Sequence, residues 1–133
     1  MQHTNRIDVV GGILWRGSRF LAAQRPAGSH QAGFWEFPGG KVEPGETRKQ
    51  ALARELAEEL AITVDAADVE FWTSLDFDYP TRSVRLHFFH IHNFSGDPVA
   101  NEGQLLRWVT PEEACTLPFL EADRALLPQL KMR

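Results

Sequence analysis

Short apolar runs separated by turn residues characterise the first half of the chain. Residues 7–15 and residues 19–24 are two such runs, and Arg16-Gly17-Ser18 between them predicts a β-hairpin. The following residues, 25–33, are rich in proline, glycine and serine and predict a loop. Residues 34–37 then form a short aromatic strand, which Pro38-Gly39-Gly40 ends.

One strong helical pattern follows this region. Leucines recur every four residues at Leu52, Leu56 and Leu60, which predicts an amphipathic helix over residues 46–60 with Thr47 as its cap or a first-turn residue. Three further strands are predicted at residues 69–77, 82–94 and 104–109. Short helices are predicted from residue 111 and over residues 121–127, where Pro128 should end or kink the second. Mixed strands and helices favour an α/β sandwich with helices on both faces of a sheet.

Composition limits the class of protein. The length of 133 residues fits a single domain spanning residues 1–133. The composition, with 43% hydrophobic and 24% charged residues, argues against a disordered or fibrous chain. No apolar run reaches the roughly 20 residues of a membrane helix, and the polar start lacks a secretory signal. The single cysteine, Cys115, excludes an internal disulfide framework. We therefore expect an intracellular, cytoplasmic protein without a membrane partner.

The charge balance limits which kinds of ligand the protein can attract. Eighteen acidic against fourteen basic side chains give a net charge of −4, so no global basic field attracts nucleic acid. We expect no direct polynucleotide binding, and a polyanionic ligand would need local bases or metal ions. A monomer and a homodimer both remain open.

Three glutamates on the predicted helix are the most unusual feature. Glu55, Glu58 and Glu59 are related as i, i+3 and i+4 and therefore share one helix face. The like-charged pair Glu55 and Glu59 costs roughly 0.2–0.5 kcal/mol, and the C-terminal half of a helix favours cations. A divalent cation would turn this repulsion into coordination, and oxygen ligands suit Mg²⁺ or Mn²⁺. The alternative is a solvated acidic face whose charge Arg54 or Lys49 offsets.

A glycine-rich loop, residues 39–46, leads directly into this helix. Its glycines let the backbone approach other groups closely and expose carbonyl oxygens. The loop and the three glutamates together predict one compact, oxygen-rich site. For Gly39 and Gly40 the alternative is a tight turn after a strand.

Residues 40–62 resemble the Nudix box, G-x5-E-x7-R-E-U-x-E-E-x-G-U, in which U is aliphatic. Gly40, Glu46, Arg54-Glu55, Leu56 and Glu58-Glu59 match it in the correct spacing, and Ile62 is the last aliphatic position. Ala61 stands where the family has glycine, a residue that suits the left-handed conformation at a helix end. We expect this alanine either to reduce stability or to let the helix run further.

The resemblance extends to MutT-type nucleoside triphosphate pyrophosphohydrolases and their relatives that prefer cytidine nucleotides. It is carried by residues 24–26, 35–43, 79–82, 101–104 and 118–130. It implies the Nudix fold, an α/β/α sandwich around a mixed, curled sheet. It also implies Mg²⁺-dependent hydrolysis of a nucleoside triphosphate to a monophosphate and pyrophosphate, with 8-oxo-dGTP as the first expected substrate and cleaning of the nucleotide pool as the role. The alternatives are CTP, dCTP or modified cytidine nucleotides, another Nudix substrate, or a nucleotide-sensing module without catalysis.

The same resemblance implies roles for individual residues. The expected metal ligands are Glu55, Glu58, Glu59, the Gly39 carbonyl, and Glu102 from a distant loop, with Mn²⁺ as a substitute for Mg²⁺. Glu55 is also the expected water-activating base. Arg54 is expected to hold the carboxylates by hydrogen bonds, and Lys41 and Arg25 to lie near the phosphates.

Four residues occupy positions at which the MutT branch contacts the base: Phe37, Tyr79, Arg82 and Asp123. Phe37 and Tyr79 could equally be core residues, Arg82 a solvated side chain and Asp123 a helix cap. His30, in the loop before the aromatic strand, is a further candidate for nucleotide contact. An ionised Asp123 would only accept hydrogen bonds, so it would favour a base that offers N–H groups, as guanine and cytosine both do.

Overall fold

A seven-stranded β-sheet organises the residues that the structure describes, 5–130. Residues 1–4 and 131–133, which belong to the predicted domain, lie outside this range. The computed structural model has strands β1 Ile7–Arg16, β2 Arg19–Gln24, β3 Trp35–Glu36, β4 Gly39–Lys41, β5 Val69–Tyr79, β6 Arg82–Ile91 and β7 Leu105–Val109. The helices are α1 Arg48–Leu60, α2 Pro111–Ala114, α3 Glu121–Arg124 and α4 Leu127–Leu130, with a 3₁₀ turn at Ala66–Asp68.

The sheet is mixed, as predicted. Its order is β3-β2-β1-β6-β5, with β4 paired to β1 and β7 paired to β2. β1 runs parallel to β6, and its other edge is shared: β4 pairs antiparallel with Val9, Val10 and Gly11, whereas β2 pairs with the end of the strand. Because two strands share one edge of β1, the sheet opens between them, and this opening holds the candidate site.

Apolar side chains cover both faces of the sheet. Leu52, Leu56 and Leu60 of α1 are fully buried against β1 and β6, as their four-residue spacing predicts. A second cluster on the opposite face includes Phe37 and Phe119 and is covered by α2, α3 and α4. Each such buried side chain stabilises the fold by roughly 1.5–3 kcal/mol. Helices therefore lie on both faces, which confirms the predicted sandwich.

Helix α1 has a defined cap at each end. The Thr47 hydroxyl accepts a hydrogen bond from the Gln50 N–H, and the Gln50 side chain accepts one from the Thr47 N–H. At the other end, Ala61 adopts φ 57° and ψ 33°, the left-handed conformation, and the helix stops at Leu60. The helix therefore ends in place and does not run further, and Ala61 adopts a conformation that L-residues disfavour.

Several element boundaries differ from those predicted. Helix α1 begins at Arg48 rather than at residue 46, and β6 ends at Ile91 rather than at residue 94. Residues 39–41, predicted as part of a glycine-rich loop, form β4 because the open edge of β1 offers them hydrogen-bond partners.

The C-terminal region also differs. The helix predicted at residues 121–127 is two short helices, and Pro128 lies in the first turn of the second, where its missing N–H is not needed. Within residues 5–130, no helix is long and apolar enough to span a membrane.

Candidate active site

The Arg54 side chain contacts several carboxylates of the candidate site. Its guanidinium contacts both oxygens of Glu46, at 2.6 and 3.0 Å, and the Glu55 carboxylate at 3.1 Å. It also donates to the Lys41 carbonyl oxygen at 3.0 Å and lies 3.3 Å from Glu58. The Arg54 guanidinium lowers the pKa of Glu46 by its hydrogen bonds. The Arg54 side chain therefore connects the glycine-rich loop to the acidic face of α1.

Glu59 is the most deeply placed of the three helix glutamates. Its Oε2 is buried and has no hydrogen-bond partner among residues 5–130. Burial raises the pKa of Glu59 well above its usual range, and the neighbouring carboxyl groups of Glu55, Glu102 and Glu36 raise it further. A buried carboxylate oxygen without a donor is unfavourable, and a cation would relieve it.

The glycines of β4 allow close contact between the loop and the helix. A side chain at Gly39 would overlap the Val10 carbonyl, and one at Gly40 would overlap the Glu55 carboxyl group. Gly39 therefore requires glycine because it faces rigid backbone, whereas a side chain at Gly40 would displace the Glu55 carboxyl group. The close packing places the Gly39 backbone in the wall of the cavity that Glu59 also lines.

This donor set fits a hard divalent cation. Carboxylate oxygens, a backbone carbonyl and the unpaired Oε2 of Glu59 are the oxygen ligands that Mg²⁺ prefers. Among residues 5–130, no group of three or more acidic, histidine or cysteine side chains is arranged so that it could hold a metal ion. Glu58 instead points to Arg54 and is 56% exposed. Coordination by several carboxylates therefore requires their side chains to rotate.

A cavity of about 210 Å³ lies beside β1, with Val10 and Gly11 in its wall. Gly39 and Glu102 line it together with Glu59. Six of the seven predicted substrate contacts line it as well: Arg25, His30, Phe37, Tyr79, Arg82 and Asp123. Lys41 is not among the lining residues, and its side chain is exposed. These residues come from six separate segments of the chain and meet at one cavity.

Asp123 lines the same cavity as Glu59 and Glu102. It is 6% exposed within α3, so it is not the helix cap considered above, and its Oδ2 accepts a hydrogen bond from the Phe37 N–H at 2.9 Å. Burial raises the pKa of Asp123 to about 8. The raised pKa favours the protonated side chain, whereas the sequence analysis considered the ionised one. A carboxylic acid both donates and accepts hydrogen bonds.

The aromatic residues of the cavity belong to the core at the same time. Phe37 is 4% exposed and packs against Phe20, Phe88 and Phe119, so the core and cavity roles coexist. The Tyr79 hydroxyl accepts a hydrogen bond from the Ala122 N–H at 3.4 Å. Burial and the charge of Asp123 raise the pKa of Tyr79.

Glu36 is a cavity residue that the sequence analysis missed. Its carboxylate lies 3.3 and 3.4 Å from Nη1 of Arg25, and Arg25 also donates to the His30 carbonyl oxygen. Burial raises the pKa of Glu36, and the Arg25 charge opposes this shift. An acidic residue between Trp35 and Phe37 in an aromatic strand was the signal available, because carboxylates seldom lie in buried strands without a partner.

Comparison with known proteins places this architecture in a family. The sequence model of the protein family described as the NUDIX domain matches residues 5–130. The chain belongs to the Nudix family. The match includes the glycine-rich loop, α1 and the Glu102 loop.

Named relatives of this Nudix domain cover almost its whole length. It is 48% identical over 121 residues to the CTP pyrophosphohydrolase of Escherichia coli K12, covering 91% of this chain and 88% of that protein. It is 37% identical over 126 residues to the 8-oxo-dGTP diphosphatase of Haemophilus influenzae, covering 93% and 90%. A solved structure from work on MutT of Aliivibrio salmonicida and Vibrio cholerae has a TM-score of 0.82 and 38% identity, with 95% and 97% covered. The chain is therefore a Nudix hydrolase.

Proposed function

We propose that this Nudix hydrolase is a Mg²⁺-dependent nucleoside triphosphate pyrophosphohydrolase whose first substrate is 8-oxo-dGTP. The supporting observation is that Glu59, Glu102 and the buried aspartic acid Asp123 line one cavity. This arrangement suits a ligand with a charged phosphate chain and a hydrogen-bonding base.

The proposed phosphate-binding part of the site combines acidic and basic groups. Glu55, Glu58, Glu59, Glu102 and the Gly39 carbonyl are the residues that would hold the cation, and Mn²⁺ is an expected substitute. When bound, the cation screens the phosphate oxygens and lowers the pKa of water. Arg54 keeps the Glu55 carboxylate oriented at 3.1 Å, and Arg25 at the cavity wall supplies positive charge for the phosphates.

The reaction that we infer is attack of water on the β-phosphorus. The new bond joins the water oxygen to this phosphorus, and the bond to the oxygen that bridges the α- and β-phosphates breaks. The α-phosphate keeps that oxygen, so the products are a nucleoside monophosphate and pyrophosphate. Glu55 is the proposed acceptor of the proton that water releases.

Asp123, the proposed contact to the base, supports recognition of oxidised guanine. A protonated Asp123 offers one donor and one acceptor. Oxidation at C8 gives guanine an N–H at position 7 beside the O6 acceptor, which matches that pair, whereas unmodified guanine presents two acceptors at N7 and O6. The raised pKa of Asp123 is therefore consistent with discrimination against dGTP.

Cytidine triphosphate is the second candidate substrate. Cytosine offers the N4 amino group as a donor beside the N3 acceptor, which also matches a protonated carboxyl group. The relative that is 48% identical is named CTP pyrophosphohydrolase. Other Nudix substrates and a nucleotide-sensing module are further alternatives.

A substrate panel tests the proposal. The purified protein is incubated with Mg²⁺ and 8-oxo-dGTP, dGTP, CTP, dCTP, 5-methyl-dCTP, ADP-ribose or a diadenosine polyphosphate, and kcat/KM and products are determined. We expect the highest kcat/KM for 8-oxo-dGTP, with monophosphate and pyrophosphate released. A preference for CTP or dCTP would assign the second candidate. Nucleotide binding by calorimetry without any product would instead support sensing.

The wider role follows from this substrate. We infer that the protein acts in the cytoplasm as a single domain of residues 1–133, as a monomer or homodimer, and without binding polynucleotides directly. Removing 8-oxo-dGTP before DNA replication would place it in the prevention of mutations.

A further inference from the structure

The segment of residues 99–104, here called the capping loop, lies against the C-terminal end of α1. The Val99 N–H donates to the Leu60 carbonyl oxygen at 2.9 Å, and the Asn101 N–H donates to that of Glu59 at 3.1 Å. The Asn101 side chain donates to the Glu58 carbonyl oxygen at 3.3 Å. The last carbonyls of a helix have no partner within the helix, so the capping loop satisfies groups that would otherwise need water.

Gln104 makes a different kind of contact from the rest of the capping loop. Its Oε1 accepts a hydrogen bond from the Glu102 N–H at 2.9 Å, and its Nε2 donates to the Glu59 carbonyl oxygen at 3.2 Å. The residue is only 7% exposed. One side-chain amide therefore bridges the backbones of Glu59 and Glu102. The Asn101 side-chain contact, by comparison, goes to Glu58 and does not involve Glu102.

We propose that Gln104 is a positioning residue that fixes Glu102 relative to Glu59 and thereby sets the affinity of the site for its divalent cation. This inference rests on the proposed function, in which both glutamates are ligands. Glu102 belongs to a loop and Glu59 to a helix, so their separation depends on how the loop is fastened. A planar amide with a donor and an acceptor holds two backbones at a fixed distance, and groups that orient metal ligands in this way change affinity 10- to 100-fold.

Two substitutions distinguish the length of the Gln104 side chain from its hydrogen-bonding groups. Gln104→Met keeps the length of the side chain and removes both hydrogen bonds. Gln104→Asn keeps the amide but is one methylene shorter, so it cannot span the two backbones. Asn101→Ala is the matched control, because it removes another side-chain bond between the capping loop and α1 without touching Glu102.

The readouts are the Kd for Mn²⁺ on nucleotide-free protein, the Mg²⁺ concentration for half-maximal activity, KM and kcat at saturating Mg²⁺, and the Tm in EDTA. We expect both Gln104 variants to raise the Kd and the half-maximal concentration about tenfold or more. KM for the nucleotide at saturating Mg²⁺ should stay near the wild-type value. Asn101→Ala should lower the Tm without changing the Kd.

Two results would overturn the inference: a wild-type Kd for Mn²⁺ in both Gln104 variants, or an equal increase in Asn101→Ala. If Gln104→Met does not fold, the milder Gln104→Asn decides. Failure of the proposed function is distinguishable, because wild-type protein would then bind Mn²⁺ and hydrolyse no triphosphate, while the comparison of Kd values among the variants would still be measurable.

Discussion

The backbone N–H of Phe37 donates a 2.9 Å hydrogen bond to Oδ2 of Asp123, a residue 86 positions away. This bond joins the aromatic segment before the glycine-rich loop to the third helix. It also leaves the Asp123 carboxyl group facing the cavity, where burial raises its pKa to about 8. The cavity is therefore lined by a carboxyl group whose raised pKa favours its protonated form.

The pH dependence of stability should reveal this proton. The pKa of Asp123 rises from an ordinary 3.8 to about 8 on folding, so the folded state binds the extra proton between these values. The stability that this protonated carboxyl group contributes is fully present below the unfolded pKa and is lost as the pH rises towards 8. Asp123→Asn removes this dependence. Urea unfolding should show the stability of the variant, relative to wild type, increasing from pH 5 to 8 by up to about 1.4 kcal/mol per pH unit.

The matched control for this measurement is Asp97→Asn, since the Asp97 side chain is 93% exposed. Its stability relative to wild type should not change with pH in the same window. A constant difference for Asp123→Asn would show that Asp123 is ionised in the folded protein.

Glu59→Gln should abolish turnover while preserving the fold. The substitution keeps the shape of the side chain but leaves no carboxyl group that could ionise to bind the cation at the buried position, where Oε2 lacks a donor. We expect kcat with Mg²⁺ to fall by at least about 10³-fold, and the Tm in EDTA to stay the same or rise, because burying a carboxyl group is unfavourable. The exposed Glu112→Gln is the control. Near-normal activity of Glu59→Gln would refute its assignment as a ligand.

Arg54→Lys should reduce catalysis without loss of charge. Lysine cannot reproduce the forked contacts to Glu46 and Glu55, so the carboxylates lose their orientation. We expect kcat to fall roughly 10- to 100-fold. Arg48→Lys, at the exposed start of the same helix, should leave kcat unchanged. Equal kinetics of the two variants would mean that Arg54 contributes only charge.

Ala61→Gly should stabilise the protein. Ala61 has φ 57°, a left-handed conformation that costs an L-residue about 1 kcal/mol and costs glycine almost nothing. Thermal unfolding should show a Tm that is higher by about 3–5 °C. Ala57→Gly, on the exposed face within α1, should have the opposite sign, because glycine in a helix interior is destabilising. A lower Tm for Ala61→Gly would show that the alanine methyl group makes compensating contacts.

The parts of the fold that were predictable depend on local patterns. The leucine period of α1 predicted its buried face, because helix geometry alone decides which side chains share a face. The three residues of β4 were not predictable, since glycines have low strand propensity and become a strand only because β1 leaves an edge free. Similarly, the division of the last helix into α3 and α4 depends on packing against the core.

The sequence by itself determined the family, the acidic face of α1 and most of the residues that meet at the cavity, because fixed spacing along a helix and a glycine-rich loop is local information. Only the tertiary structure decided the protonation of Asp123, the pairing of Arg25 with Glu36 and the bridge that Gln104 makes between Glu59 and Glu102. These properties arise from burial and from contacts between distant segments. Residue order does not specify how much water a side chain loses, or which remote donor reaches it, until the chain is folded.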